Sequence, residues 1–336
     1  MRQHEPETGA TRGGAWWRWV AHPYALLVWT MLFWSGNWVT GRAVRDLISP
    51  IAFNFWRWTV TLAILLPFTL PGLWRQRGLL LRRWPYFLVM GIAGFSAFHT
   101  LVYSGLARTS AVNAVLINAV LPLTIVATSW LLHRETVSLR QVAGMVLSLG
   151  GVATIVVRGD PALLFSLQVN AGDFLILAAL GLWSLYAVLL RRRPPELPPL
   201  ALLAAFSAFG LLSQAPLYAW DLYRDHAAGA AWSAPGLPLL GAILYVAVFA
   251  SVGAYLFWNA ATAALGPNRV GPFVHLLPLF TTILAVLLLG ETLHAYHGFA
   301  VLLIFAGIAL ATLLPVRRGG SGVQEPRTAA GSPRSG

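Results

Sequence analysis

The chain has 336 residues, of which 57% are apolar and only 10% are charged, and its net charge at pH 7 is +12. A soluble domain has no way to bury so much apolar surface, so composition predicts an integral membrane protein. The sequence contains no cysteine. This excludes a disulfide frame, a thiolate metal site and a cysteine nucleophile.

The apolar residues are grouped into stretches of the length that crosses a bilayer, which is about 20 residues for a helix. Read from the N-terminus, the chain contains ten such stretches, five in each half. They lie near residues 24–41, 50–70, 84–105, 109–132 and 138–157, and then near 172–190, 198–220, 237–262, 266–289 and 294–314. The predicted fold class is therefore an all-α integral membrane protein with ten transmembrane helices.

The two ends of the chain differ from the rest in composition. Residues 1–22 and 315–336 are predicted to be disordered tails, and the start of the chain lacks the short apolar core of a cleaved signal peptide. All 23 basic residues are arginines, and most of them face one side of the membrane if the N-terminus is inside. This bias predicts a multi-pass protein of the inner (plasma) membrane with both tails cytoplasmic.

The chain repeats itself at a constant offset of 156 residues. The shift brings together three groups of identical residues: Leu121-Pro122-Leu123 with Leu277-Pro278-Leu279, Glu135-Thr136 with Glu291-Thr292, and Gly151 with Gly307. The predicted repeats cover 23–158 and 172–314. Because five spans is an odd number, the second repeat must enter the membrane upside down. Two inverted five-helix repeats predict alternating access to a site between them.

The residues that carry this repeat resemble a known family. The stretch 103–152 and the stretch 258–310 each have a small-residue turn, a helix broken by proline, a Glu-Thr pair and a Gly-rich closing helix. In this they are similar to the second half of an EamA-type repeat of the drug/metabolite transporter superfamily, and FWSGNWVTGR at 33–42 resembles the first helix of that family. The resemblance implies export or exchange of small metabolites without naming the substrate.

Polar residues at membrane depth tend to face a cavity or the bundle interior. His99 and Tyr103 share one face of the third span, and the repeat offset places them on Tyr255 and Asn259. Both halves thus keep hydrogen-bonding residues at the same two points. We interpret these four residues as candidates for a central cavity, with helix-to-helix hydrogen bonding as the alternative.

A weaker repeat at an offset of 149 residues relates the first and sixth spans. It places Trp34 on Trp183 and Asn37 on Tyr186. Aromatic rings with a polar tip suit an amphipathic solute, whereas tryptophan is also common at membrane interfaces. Both tryptophans lie well inside their spans, which weakens the interface interpretation.

Three further candidates complete the predicted substrate-binding set: Asn113, Trp258 and His275. His275 belongs to a series with Asn268 and Thr282 that recurs every seven residues, which predicts one polar stripe along the ninth span. His275 is a candidate for binding a carboxylate or a proton. The alternative is a structural histidine that is hydrogen-bonded within the helical bundle.

Gating or electrostatic roles are predicted for three residues. Pro122 and Pro278 interrupt equivalent helices, and such interruptions mark binding sites in repeat-built transporters. Arg57 is the one basic residue placed inside a span, where it is expected to extend towards the outer interface. It is interpreted either as an attractor of anionic groups or as a hydrogen-bonding post for neighbouring helices.

These observations predict a transporter of small neutral or zwitterionic metabolites, with amino acids first. The alternatives are efflux of amphipathic or aromatic drugs and, in another class, a non-transporting sensor or structural subunit. No enzyme is expected, since metal-ligand pairs, nucleophile elbows and paired carboxylates at membrane depth are missing from the sequence. Cofactors, metals and nucleic acid are not expected. The expected partners are a small-molecule substrate and the lipid bilayer, with protons and a homodimer as further candidates.

Overall fold

The computed structural model describes residues 22–109, 111–166, 169–227, 236–289 and 294–312. Within these ranges the regular elements are helices, and no strand is found there. The predicted C-terminal tail and all but residue 22 of the predicted N-terminal tail lie outside the described residues, as do Glu291 and Thr292. The predicted all-α class is confirmed for the described part of the chain.

The helices follow the predicted order, and we number them along the chain. The first five are α1 (Pro23–Ala43), α2 (Pro50–Arg75), α3 (Trp84–Leu106), α4 (Ala111–Asn118 and Leu121–His133) and α5 (Leu139–Val156). The next five are α6 (Ala171–Leu189), α7 (Pro199–Ala227), α8 (Leu237–Leu265), α9 (Pro267–Val270, Gly271–His275 and Leu276–Leu289) and α10 (Ala295–Thr312). A short helix, Arg77–Arg82, connects α2 to α3.

Eight helices of the described residues are long and apolar enough to cross a membrane, namely α2 to α8 and α10. This confirms a membrane protein with many spans. Helix α1 and the broken helix α9 are not among those eight, so the complete set of ten spans remains a prediction.

Several helices begin at side chains that satisfy their free backbone N–H groups. Ser49 accepts a hydrogen bond from the Ala52 N–H (3.0 Å) at the start of α2. Helix α5 begins with a capping box in which Ser138 and Gln141 bond to each other's backbone, and α6 begins with one between Asn170 and Asp173. These caps fix where the spans start.

Helices α4 and α9 are both broken in the middle, as the matched prolines predict. Pro122 and Pro278 have no N–H to donate to the carbonyls of Asn118 and Val274, so the helical ladder fails one turn before each proline. In α4 the break is a turn at 119–120. In α9 it is the 3-10 turn Gly271–His275.

Helices α3 and α8 each contain a π-helical segment, a feature that sequence reasoning missed. The two segments are Ile92–Ser96 and Val246–Gly253, and they overlap at the repeat offset of 156. A π-helical segment leaves backbone carbonyls without their usual partners. Side chains from other helices occupy these carbonyls: the Tyr255 hydroxyl donates to the Gly94 carbonyl (2.5 Å), and the Trp34 indole donates to the Ala250 carbonyl (3.1 Å).

The closing helices α5 and α10 have the same length and are separated by exactly one repeat. They cross at glycines. A Cβ atom on Gly307 would lie 2.5 Å from the Gly144 carbonyl oxygen and from the Ser148 backbone nitrogen. A Cβ on Gly151, the repeat equivalent of Gly307, would lie 2.8 Å from the carbonyl oxygen of Ala300, the equivalent of Gly144. The crossing is therefore two-fold symmetric in its contacts.

Candidate functional site

A small cavity lies where the two repeats meet. Its volume is about 50 Å³, which is room for only a few water molecules. It is lined by residues of α1, α3, α4, α6 and α9, which are Trp34, Asn37, Trp38, Gly41, Phe98, His99, Val102, Tyr103, Leu106, Asn118, Leu121, Trp183, Val274 and Leu277. Five of the predicted site residues, Trp34, Asn37, His99, Tyr103 and Trp183, are among them.

The lining follows the internal repeat. Three pairs of lining residues are repeat equivalents: Trp34 with Trp183, Asn118 with Val274, and Leu121 with Leu277. The last two pairs lie at the breaks of α4 and α9: Val274 is within the 3-10 turn of α9, and the other three residues lie beside a break. The cavity therefore lies on the boundary between the halves, bordered by the broken helices.

Two tyrosine–asparagine hydrogen bonds relate the halves. The Tyr103 hydroxyl donates to the Asn37 side-chain carbonyl (3.2 Å), and the Tyr186 hydroxyl donates to the Asn259 side-chain carbonyl (2.8 Å). Tyr103 is the repeat equivalent of Asn259, and Asn37 is the repeat equivalent of Tyr186. The same bond is thus made twice, with the two residue types exchanged. The first pair borders the cavity and the second is buried outside its lining.

Aromatic rings fill the space around the cavity. Trp34 meets Trp183 edge-on with ring centroids 5.1 Å apart, and its centroid is 5.4 Å from that of Trp258 and 6.0 Å from that of Tyr255. The indole N–H groups of Trp183 and Trp258 are buried without an acceptor among the described residues. A buried donor without a partner costs about 1–3 kcal/mol. The aromatic cluster therefore keeps unused donors beside the cavity.

Arg57 is not at the interface, contrary to the prediction that it extends towards the outer surface. Its side chain is fully buried, because the π-helical segment of α8 offers acceptors inside the bundle. Its Nε donates to the Ser251 hydroxyl (2.7 Å) and its Nη2 donates to the Ala250 carbonyl (3.1 Å). Its Nη1 lies 3.3 Å from the Tyr103 hydroxyl and 3.5 Å from the Asn37 carbonyl.

The two candidate histidines have different surroundings. His99 lines the cavity, and its Nδ1 is bonded to the Phe95 carbonyl at 3.2 Å. His275 is 1% exposed and has protein partners on both ring nitrogens, the Ala119 carbonyl at Nε2 (2.7 Å) and the Ser148 hydroxyl at Nδ1 (2.5 Å). These contacts favour the structural interpretation of His275.

The polar stripe predicted along α9 is wrong, because the 3-10 turn before Leu276 changes the phase of the helix. Asn268 bonds towards Ser129 and Glu135, whereas Thr282 donates to the Pro278 carbonyl of its own helix (3.0 Å). Neither residue shares the surroundings of His275.

Asn113 lies outside the cavity lining. Its amide donates to the Asp173 carboxylate (3.1 Å), which also accepts hydrogen bonds from the Thr109 hydroxyl and the Asn170 backbone N–H. This cluster ties the start of α4 to the start of α6. The structure does not bring Asn113 together with the other candidates.

Glu135 joins α4, the turn that follows α6, and α9 at the other end of the bundle. Its carboxylate pairs with Arg191 and accepts hydrogen bonds from Ser129 (2.8 Å) and Asn268 (3.4 Å). Burial alone raises the pKa of the Glu135 carboxyl, but the hydrogen bonds from Arg191 and Ser129 outweigh burial and hold the pKa below its usual range. A depressed carboxyl pKa stabilises the folded state above the unfolded-state pKa, and this stability is lost as the pH falls through the folded-state pKa.

We therefore expect Glu135→Gln to lower the free energy of unfolding by about 0.5–1 kcal/mol at neutral pH, since the pair is one-third exposed. The difference between the variant and the unchanged protein should shrink below about pH 4.5, the ordinary range of a glutamate pKa. Melting temperatures in detergent from pH 7 to pH 4 measure it, with exposed Glu196→Gln as the control. A difference that stays constant down to pH 4 would contradict this role of Glu135.

Sequence reasoning missed several lining residues, and some of them left a signal. Trp38 follows Trp34 by four residues and so shares its helix face. Asn118 is the last residue before the break in α4. Phe98 and Val102 gave no signal, because single apolar residues in an apolar helix look alike in a sequence.

The comparisons with known proteins agree with this architecture. The model of the EamA-like transporter family matches residues 23–157 and 170–313. The uncharacterized transporter YyaM of Bacillus subtilis (strain 168) is 25% identical over 291 residues, covering 86% of this chain and 93% of YyaM. An uncharacterized transporter of Archaeoglobus fulgidus is 27% identical over 292 residues, covering 86% of this chain and 96% of the relative.

One solved structure of a protein overlaps 87% of this chain and 96% of its own chain with a TM-score of 0.68. At 21% identity this likeness shows the fold alone. The duplicated helical unit and the cavity between its copies define a multi-pass membrane protein of the repeat-built transporter class. The chain belongs to the EamA-like transporter family, whose model covers both halves.

Proposed function

We propose that the protein is an alternating-access transporter that exports or exchanges small neutral or zwitterionic metabolites, with amino acids as the leading class. The observation that carries this proposal is the cavity on the repeat boundary, bordered by three pairs of repeat-equivalent residues. A cavity lined by residues of both halves is what a site between repeats requires. A structural or sensory subunit has no need of it.

Ten transmembrane helices in two inverted repeats of five are part of the proposal. The matched π-helical segments, the matched breaks and the matched closing helices all support equivalent units. Five spans per unit reverse the direction of the second unit. The arginine bias supports cytoplasmic tails and a place in the plasma membrane.

The exchanged tyrosine–asparagine bonds support alternating access. In this conformation the Asn37–Tyr103 pair borders the cavity, whereas the Tyr186–Asn259 pair is buried outside its lining. If the two halves exchanged conformations, the Tyr186–Asn259 pair would border the cavity and the Asn37–Tyr103 pair would be buried. With the N-terminus inside, the cavity lies towards the outer half of α1, and the Glu135–Arg191 pair lies at the cytoplasmic end of the bundle.

The chemistry of the lining supports a small amphipathic solute. Aromatic rings offer flat apolar contact, while amide, imidazole and indole groups offer a few hydrogen bonds that fix orientation. The unused indole N–H of Trp183 supports a solute that carries an acceptor oxygen. Because the cavity holds only a few waters here, a solute must open it by moving the surrounding rings.

Efflux of amphipathic or aromatic drugs is the second candidate function. The ring cluster of Trp34, Trp183, Trp258 and Tyr255 favours it, because aromatic walls accept many flat apolar molecules. Thermal-shift screening of the detergent-purified protein separates the two, since a ligand that binds the folded state raises its melting temperature. Hits among amino acids support the first function, and hits restricted to cationic or aromatic drugs support the second.

We expect Tyr103→Phe and Asn259→Ala each to lower flux into proteoliposomes by about tenfold, because each removes one of the two exchanged bonds. Both variants should reach the membrane in normal amounts. The matched control is Tyr223→Phe, since Tyr223 is an exposed tyrosine outside the cavity lining. Flux equal to that of the unchanged protein in both variants would remove these residues from the transport site.

A further inference from the structure

Arg57 is a buried cation that has no acidic partner among the described residues. The ion pairs found among the described residues are Arg45–Asp46, Arg191–Glu135 and Arg224–Asp221, and none includes Arg57. Its side chain leaves α2 and is fully buried between the neighbouring helices. Burying a charge is costly unless it is paired and hydrogen-bonded. The positive charge beside the cavity is therefore hydrogen-bonded but not neutralised by the chain around it.

The guanidinium group has two unequal sides. Nε and Nη2 are anchored to the π-helical segment of α8 by bonds of 2.7 Å to Ser251 and 3.1 Å to Ala250. Among the described residues, Nη1 makes two long hydrogen bonds, 3.3 Å to the Tyr103 hydroxyl and 3.5 Å to the Asn37 carbonyl. Tyr103 and Asn37 both line the cavity. The weakly bonded side of Arg57 thus lies directly behind the cavity wall.

We propose that Nη1 of Arg57, with Asn37 and Tyr103, forms the subsite that binds the carboxylate of a zwitterionic substrate such as an amino acid. This inference rests on the proposed transport function and names the charged group that its substrate must carry. A carboxylate replaces long contacts to neutral oxygens by a charge-assisted hydrogen bond, which is shorter and roughly twice as strong. The Asn37 amide N–H and the Tyr103 hydroxyl are then free to donate to the same carboxylate.

The hydrogen bonds on the anchored side of Arg57 would couple a bound carboxylate to the second repeat. The Ala250 carbonyl that accepts from Arg57 also accepts from the Trp34 indole at 3.1 Å. Trp34 in turn packs against Trp183 across the repeat boundary. A carboxylate that draws the guanidinium towards the cavity therefore pulls on the π-helical segment of α8 and on the aromatic cluster together.

Matched acids and amides test the subsite. The probes are L-leucine with L-leucinamide, L-phenylalanine with L-phenylalaninamide, and 3-phenylpropionate with 3-phenylpropanamide, each measured by thermal shift and by proteoliposome flux. We expect at least one acid to bind about tenfold more tightly than its amide, as expected for a charge-assisted bond. The preference for the acid should disappear in Arg57→Gln and shrink in Tyr103→Phe. Tyr103→Phe keeps Arg57 and its hydrogen bonds to α8, so it tests the subsite even if Arg57→Gln does not fold.

Ser251→Ala is the matched variant on the anchored side. It removes a contact of Nε and leaves the Nη1 side intact, so the melting temperature should fall while the acid-to-amide preference stays. Replacement of methanesulfonate by chloride in the buffer tests an inorganic ion as the occupant. A chloride-dependent shift that competes with every acid would overturn the organic carboxylate assignment.

Two further outcomes would overturn the subsite. One is equal binding of every acid and its amide, and the other is an acid preference that survives in Arg57→Gln. In either case flux of any solute, including neutral drugs, would leave the proposed transport function standing. An absence of flux for all solutes, charged or neutral, counts against the transport function itself as well as against the subsite.

Discussion

Replacing Gly307 by alanine should lower the free energy of unfolding by about 2–3 kcal/mol, one of the largest effects we expect from adding a single methyl group. The new Cβ would lie 2.5 Å from the Gly144 carbonyl oxygen and from the Ser148 backbone nitrogen. Both atoms belong to the backbone of α5, so no side chain can turn away to make room. Helices α5 and α10 must move apart, and their close contact is lost along the whole crossing.

Gly150→Ala is the matched control for this experiment. Gly150 lies on the same helix as Gly151, one residue away, yet a Cβ at Gly150 would meet no atom within 4 Å. Alanine favours helix over glycine by up to about 1 kcal/mol, so this variant should melt at the same temperature or higher. If Gly307→Ala and Gly150→Ala melt alike in detergent, the glycine crossing is not a tight contact.

The internal repeat predicted helix positions and helix breaks in this fold, because identical residues at a constant offset mark structurally equivalent positions. The offset of 156 residues between Gly151 and Gly307 also separates the start and the end of α5 from those of α10. It likewise separates Pro122 from Pro278 and predicted that both helices would be broken. Which helices touch was not predictable in this way, since equivalence within a repeat says nothing about contact.

The π-helical segments and the position of Arg57 were beyond sequence reasoning for a connected reason. Hydropathy is the same in a π-helical turn and in an α-helical turn, so the segments in α3 and α8 leave no trace in composition. The sequence does not show that the Ala250 carbonyl is available as an acceptor. The membrane interface was therefore the expected place for the charged side chain of Arg57. The structure instead supplies acceptors in the interior, and Arg57 is buried there.

The candidate site was partly predictable because polar residues are scarce in these helices. His99, Tyr103, Asn37 and the tryptophans 34 and 183 stood out by type, and the structure brings all of them to one cavity. Asn113 stood out equally but lies with Asp173 instead. Residue type alone does not show which face of a helix points to the cavity. Asn113 lies elsewhere because it is hydrogen-bonded to Asp173, a contact between residues distant in the sequence.

The second large effect is expected at His275, which connects the broken helices α4 and α9. His275→Ala should lower the free energy of unfolding by about 3 kcal/mol, since it leaves a cavity and removes the partners of two buried groups. One of these is the Ala119 carbonyl, which is free because the Leu123 N–H bonds to the Val120 carbonyl (2.9 Å) instead. The other is the Ser148 hydroxyl of α5, which keeps only its longer bond to the Met145 carbonyl (3.1 Å).

The geometry of this bond explains why its loss should reach beyond stability. Ala119 is the repeat equivalent of His275, so the imidazole bonds one repeat to the matching point of the other. The cavity-lining residues Asn118 and Leu121 flank Ala119, and Val274 and Leu277 lie beside His275. The proposed exchange of conformations between the halves would alter this contact. We therefore expect flux to fall with stability in His275→Ala.

Thr282→Val is the matched control, because Thr282 lies seven residues further along α9 and its hydroxyl donates within its own helix. It should change stability by no more than about 0.5 kcal/mol, which is typical of positions without such contacts. The two interpretations of His275 then separate cleanly. A lower melting temperature with reduced flux at every pH supports the structural bridge. Unchanged melting together with loss of proton-dependent flux alone would instead make His275 a proton carrier, despite protein partners on both ring nitrogens.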